Sequence, residues 1–278
     1  MTVSTTAVVQ APQRPAPAHR VAFPNLLRAE ALKLTTVRPT WVIVGLFLAA
    51  GVAGTVAFVV GFAFPVLPGS SAGEAGKAVA DSVASGVAMA ASMVLIPFGV
   101  LAVTSEFRTG QVQASLTSDP NRLRLMAAKT LAVVGATAAV SALAAAAGLG
   151  VGWLVAKPKA SAMALEGPAW EVLVGVVVQA TLIASFAYAL GWLTRSSAVG
   201  VALSYLIFLA VPIVLTAASQ SAEWVARIVQ YAPDRIIYTV NAAEPSTLGG
   251  HWGGPAIMAG YVAVLLIAAA LSFRRSDI

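Results

Sequence analysis

Six stretches of the chain lack Asp, Glu, Lys and Arg altogether: residues 41–64, 83–104, 131–156, 172–194, 198–218 and 255–273. Each is near or above the ~20 residues that a helix needs to cross a ~30 Å hydrocarbon core. The third is the longest and can tilt or extend past the lipid. Too little polar chain remains to cover six such stretches in a water-soluble fold. The pattern predicts an all-α polytopic membrane protein with six transmembrane helices. Residues 1–22 carry Pro12, Pro15 and Pro17 and no apolar core, so they read as a disordered tail rather than a signal peptide. Residues 23–278 then form one transmembrane domain.

Composition agrees. The residues are 59% hydrophobic and 10% charged, with mean hydropathy +0.85, whereas soluble domains are about 25% charged. There is no cysteine, which removes disulfides, thiolate metal sites and cysteine nucleophiles. Two histidines, His19 and His251, cannot build a multi-histidine metal site, and His251 lies in a glycine-rich segment that reads as a loop.

The net charge of +6 points to lipid rather than nucleic acid once its distribution is considered. With six spans, one side holds Arg14, Arg20, Arg28, Lys33, Arg38, Arg108, Arg122, Arg124, Lys129, Arg195, Arg274 and Arg275, twelve of the 17 basic residues. Lys77, Lys157, Lys159, Arg227 and Arg235 fall on the other side. By the positive-inside rule both termini are expected in the cytoplasm of a multi-pass plasma-membrane protein. Trp41, Trp153, Trp170 and Trp192 sit near predicted span ends, as interfacial indoles would.

The apolar stretches contain no carboxylate, lysine or arginine. Ion-coupled carriers keep such groups in the membrane, and voltage sensors need an arginine ladder. No P-loop is present: Lys129-Thr130 follows Ala128 without a loop glycine, and Gly76-Lys77 precedes Ala78. No Gly-x-Ser-x-Gly elbow exists either. Work done by this chain is therefore expected to draw energy from elsewhere, and the chain itself is not expected to be an enzyme.

Two constellations on the predicted cytoplasmic side remain. In the first, Pro24 suits a helix start and Pro39 discourages continuation. Phe23, Leu26, Leu27, Ala31, Leu34 and Val37 share an arc of about 140°, which predicts an interfacial amphipathic helix. Glu30 falls inside that apolar arc. It pairs either with Lys33 or with a basic residue of the next cytoplasmic loop, Arg108 or Arg122. The second constellation follows span two: Thr104-Ser105-Glu106-Phe107-Arg108-Thr109-Gly110, then Gln111–Ser118, then Asp119-Pro120-Asn121-Arg122. Asp119 as N-cap with Pro120 at the first position starts the next helix. Arg122, Met126 and Lys129 then share a face. Anchoring needs only the basic residues. Glu106, Arg108 and the glycine break suit docking to a soluble partner.

These residues resemble the membrane subunits of ABC-2 type ATP-binding-cassette exporters, particularly the short actinobacterial permeases. The resemblance is carried by Leu27-Arg28-Ala29-Glu30-Ala31-Leu32-Lys33-Leu34 with Arg38-Pro39-Thr40-Trp41, by Glu106-Phe107-Arg108-Thr109-Gly110, by Asp119-Pro120-Asn121-Arg122 through Lys129, and by the basic ending Phe273-Arg274-Arg275-Ser276-Asp277. It implies an elbow helix containing Glu30, Lys33 and Arg38. It also implies a coupling loop between spans two and three containing Glu106, Phe107, Arg108, Gly110, Gln111, Gln113 and Arg122, with Gln111–Ser118 as the coupling helix. It implies a separate ATPase partner that carries ATP and Mg²⁺, and a second permease copy or paralogue. Residues 222–237 correspond to a segment that dips back into the membrane from outside. Gly148 and Gly152 allow close helix packing. Gln179, Ser185 and Tyr188, with Ser204 and Tyr205, are candidates to line a path for a drug-like, lipid-like, peptide or glycan solute. The alternatives are a structural or assembly membrane protein without transport, and an intramembrane enzyme.

Overall fold

In lipid a backbone must satisfy its own hydrogen bonds, and a helix does so within one segment. In the computed structural model, which describes residues 22–118, 121–160, 162–220, 222–237, 250 and 252–275, all six apolar stretches are helical. The helices are α1 (Phe23–Thr36), α2 (Arg38–Ala63), α3 (Ala72–Thr109), α4 (Gln111–Ser118), α5 (Arg122–Ala156), α6 (Gly167–Thr194), α7 (Ser197–Ser219), α8 (Glu223–Val229), α9 (Pro233–Ile237) and α10 (Gly253–Arg275). There is no strand among the described residues. Six helices, α2, α3, α5, α6, α7 and α10, are long and apolar enough to cross a membrane. The chain is an all-α polytopic membrane protein. The proline-rich tail, both histidines, Asp119-Pro120 and the last three residues lie outside the described residues.

Helices α3 and α5 outrun their apolar stretches furthest. Helix α3 begins at Ala72 because Ser71 and Glu74 form a reciprocal cap: Glu74 N donates to Ser71 Oγ (3.3 Å) and Ser71 N to Glu74 Oε2 (2.8 Å). Its 38 residues extend ~57 Å, well beyond the ~30 Å hydrocarbon core. Helix α5 begins at Arg122, with Asn121 Oδ1 accepting from Arg124 N at 3.2 Å. Asn121, not the expected Asp119, is therefore the N-cap. Asparagine supplies the same acceptor geometry.

Helix α6 is the axis of the bundle. It packs against α3, α5, α7 and α10, and 72% of its most apolar window is buried. Helix α7 buries only 17% of its window and turns Leu206, Leu209, Ile213 and Val214 outward. In a membrane those side chains face lipid at no cost.

Close packing rests on small residues. Helices α2 and α3 cross at Gly54 and Gly86, where a methyl group on Gly86 would lie 2.3 Å from Thr55 N. Gly148 and Gly152 of α5 pack against Thr55, Val79 and Val83, so this expected small-residue pair is used inside the protomer.

Pro97 explains an irregularity in α3. Proline lacks the N–H that would bond the carbonyl four residues back, and its ring crowds that carbonyl. The helix widens into a π-type turn over Ala91–Leu95. The carbonyl of Met93 instead accepts a hydrogen bond from Tyr205 of α7 at 2.8 Å.

The segment between α7 and α10 folds back along the bundle. Helix α9 packs against α10 and the middle of α7, Leu206–Ala210, and buries Ile236. Arg235 Nη2 donates to Thr216 Oγ1 at 2.7 Å, with Asp234 3.7 Å from the same guanidinium.

Candidate functional site

Helix α1 ends at Thr36, and Pro39 opens α2 after a single extended residue, Val37. Trp41 Nε1 donates to Thr35 O at 2.7 Å and clamps this elbow. The bend lays α1 across the start of α5, where Leu26 packs on Leu125 and Ala128. Glu30 sits in the apolar arc because that arc faces protein. It is 4% exposed.

Lys129, from the first turns of α5, is the centre of the site and is 3% exposed. Its Nζ donates to Glu30 Oε2 and to Glu106 Oε1, both at 2.5 Å. Lys33 Nζ donates to Glu30 Oε1 at 2.6 Å and to Ser115 Oγ of α4 at 3.3 Å, and lies 3.9 Å from Glu106 Oε1. Two carboxylates and two ammonium groups thus tie α1, α3, α4 and α5 together with no net charge. Charges removed from water cost several kcal/mol each unless they are well paired, so the buried members Glu30, Glu106 and Lys129 are held tightly in register. Glu106 Oε2 is buried and receives no hydrogen bond.

Glu30 was expected to pair with Lys33 or with Arg108 or Arg122. It pairs with Lys33 and with Lys129. Arg108 is exposed. Arg122 is engaged elsewhere: its Nη1 donates to Phe273 O at 2.9 Å and its guanidinium lies 5.7 Å from the Phe273 ring centroid.

A second lock begins one residue along α3. Phe107 stacks edge-on to Trp192 at 5.4 Å, and Trp192 contacts Phe273 at 5.0 Å. Arg195 lies 5.6 Å from the Phe107 ring centroid. The run Arg195, Phe107, Trp192, Phe273, Arg122 binds the ends of α3, α5, α6 and α10. Each cation–ring or ring–ring contact contributes about 0.5–1.5 kcal/mol. Trp192, expected at the lipid interface, is instead 2% exposed and internal. Trp41 and Trp170 are exposed as expected.

Between the locks hangs α4. Gly110 adopts φ 72°, the left-handed conformation that glycine accepts without strain, and ends α3. The chain then turns directly into α4. Val112 is buried, while Gln111 and Gln113 are exposed. Arg38, at the start of α2, is exposed.

The residues expected to line a path make the following contacts within this protomer. Gln179 and Tyr188 are fully buried in the core. Ser185 Oγ donates to Thr181 O and Ser204 Oγ to Gly200 O, within their own helices. Tyr205 compensates the carbonyl displaced by Pro97.

The electrostatics of Glu30 give a testable pH dependence. Burial alone would raise its carboxyl, but Lys129 and then Lys33 outweigh burial and hold it below its ordinary value of 4.5. The folded form releases this proton more readily than the unfolded chain, so the stabilisation is complete above pH 4.5 and disappears as the pH falls through the lower folded value. Acid titration of the thermal midpoint in detergent should show a loss below about pH 4.5, and Glu30→Gln should flatten it. An unchanged acid limb in Glu30→Gln would remove Glu30 as the source.

Comparison with known proteins adds a family. Residues 41–278 match the family described as a protein of unknown function, DUF2705. The match covers most of the chain, including Glu106 and Lys129, and begins after α1. No curated protein matches it. The chain that builds these two locks belongs to the DUF2705 family.

Proposed function

We propose that this protein is the membrane-spanning permease subunit of an ABC-2 type exporter, with both termini cytoplasmic in the plasma membrane. A separate ATPase binds ATP and Mg²⁺ and supplies the energy, and a second permease copy or paralogue completes the transporter. One observation carries the reading. A short helix with exposed Gln111 and Gln113 is joined by Gly110 to the end of a span-capable helix and is tied through Lys33 to a buried ion network. A device that passes force from a soluble partner into the membrane needs an exposed docking face on a rigid mount. Here the mount reaches α1, α3 and α5 together. The chain shows no P-loop of its own.

The test is co-reconstitution with an ATPase subunit encoded beside this protein, reading hydrolysis and solute export together. Gln111→Glu combined with Gln113→Glu alters the exposed face of α4 and leaves the buried network intact. The thermal midpoint should stay at the wild-type value, while export and substrate-stimulated hydrolysis fall together. Wild-type export by the variant at equal ATPase loading would reject α4 as the coupling element. Failure of any such ATPase to bind the wild-type protein would favour a non-transporting membrane role.

A further inference from the structure

At the end of the bundle away from α1, helices α2 and α3 form a groove of about 530 Å³, within the size range of small-molecule sites. One wall is apolar: Phe58, Phe62 and, just past α2, Val66. The Phe58 and Phe62 rings stack, with centroids 5.4 Å apart and planes 24° from parallel. Phe62 is 70% exposed. The faces of such rings are the negative side of the aromatic quadrupole.

The other wall is the first half of α3. Glu74, Lys77 and Asp81 line it at spacings of three and four residues, which places them on one helix face. Lys77 Nζ donates to Asp81 Oδ2 at 2.8 Å. Two carboxylates and one ammonium group give these three residues one negative charge in surplus. The wall's hydroxyls are spent on their own helix: Ser82 Oγ donates to Ala78 O and Ser85 Oγ to Asp81 O, both at 2.9 Å. Between α5 and α10, residues 161, 221, 238–249 and 251 lie outside the described residues, and their sequence contains no lysine or arginine. The surplus is therefore not cancelled from those stretches.

Depth separates the charge from the apolar surface. Phe58 and Phe62 belong to the first apolar stretch, residues 41–64, and Ser85 to the second, residues 83–104. Asp81 lies just outside the second stretch, and Glu74 about two turns farther out. The groove thus runs from the hydrocarbon into the interface, apolar at one end and negative at the other. An anionic amphiphile would meet like charge there. We infer that this groove binds a lipophilic cation, its charge held by Asp81 and Glu74 and by the ring faces of Phe58 and Phe62. Binding of this kind does not depend on whether the chain exports a solute.

The experiment measures binding of tritiated tetraphenylphosphonium to the full chain, immobilised in phosphatidylcholine nanodiscs, by scintillation proximity. Tetraphenylborate, of the same shape and opposite charge, is the competitor. The wild type should show saturable binding that unlabelled tetraphenylphosphonium displaces and tetraphenylborate does not. Asp81→Asn and Phe62→Ala should each weaken it about two- to fivefold, as expected for one half-exposed ion pair or cation–ring contact. Lys77→Met should tighten it by a similar factor, because it frees Asp81 and removes the one positive charge on the wall. Glu171→Gln, at an exposed position on α6, should bind as the wild type does. Both Asp81 and Phe62 are at least partly exposed, so the thermal midpoints of these variants should stay near the wild-type value. Absence of saturable binding would overturn the proposal, as would wild-type affinity in Asp81→Asn or Phe62→Ala. Weaker binding by Lys77→Met would overturn the charge assignment. If tetraphenylborate competes equally, the groove is merely greasy and selects no cation. If Glu171→Gln weakens binding as much as Asp81→Asn does, a diffuse acidic field is responsible and the groove is not the site.

Discussion

Lys129→Met should be the most damaging single change at the α1 end. Methionine matches the lysine stem in length and packs among the same neighbours, so the change isolates the charge. Glu30 and Glu106 would then be left buried, with only half-exposed Lys33 near them. Removing one partner of a buried ion network costs about 3–5 kcal/mol. For a chain of this size that corresponds to a fall of about 5–10 °C in the thermal midpoint. Neutralising the stranded acids should recover much of it: a triple variant with Glu30→Gln and Glu106→Gln would be more stable than Lys129→Met alone. If the single variant melts within a degree or two of wild type, the ammonium group is not what holds α1 and α3 to α5. The ion contacts would then be incidental to helix packing.

The second large effect is expected at the crossing of α2 and α3. Gly86→Ala adds one methyl group 2.3 Å from Thr55 N and 2.7 Å from Gly54 C. Both are backbone atoms of α2, so no side chain can rotate away. The helices must separate, and overpacking of this kind costs about 1–3 kcal/mol. Gly150→Ala is the matched control. Nothing lies within 4 Å of its added methyl, and alanine favours helix over glycine by roughly 0.5–1 kcal/mol. The two variants should move the thermal midpoint in opposite directions. Equal shifts would mean that the crossing has room for the methyl group and that these helices are not in backbone contact there.

The parts of this fold that were legible in the sequence are those set by local pattern. The six helices follow from apolar stretches that lipid forces into helix. The arc of α1 and the break at Pro39 placed the elbow, and Gly110 placed the turn into α4. Pairings between distant positions were harder. By sequence Lys129 reads as one of several basic anchors on a helix face, yet a signal for its role exists. Glu106 lies two residues past one apolar stretch and Lys129 two residues before the next. A helical hairpin puts them at equal depth, where opposite charges meet. Trp192 near a span end fits an interfacial indole or a core residue equally well, and only the positions of Phe107 and Phe273 decide between them. Gly86 gave no local sign of its contact, because a helix crossing depends on rotational register that one helix's sequence does not contain. The length of α3 was readable in principle from Ser71 and Glu74, spaced as a capping box.

The ion network spans two dielectric regimes, and salt separates them. The bonds from Lys129 to Glu30 and Glu106 are sealed from solvent, so counterions reach them poorly. Lys33 has a side chain 36% exposed, and it is the member that reaches α4 through Ser115. A half-solvated contact of that kind contributes only tenths of a kcal/mol and weakens as ionic strength rises. Helix α4 is therefore joined to a rigid frame by a soft polar tether, the swivel at Gly110 and the buried side chain of Val112. High salt should loosen α4 while the frame stays closed, so faster amide exchange in α4 at unchanged thermal midpoint would mark a joint built to give.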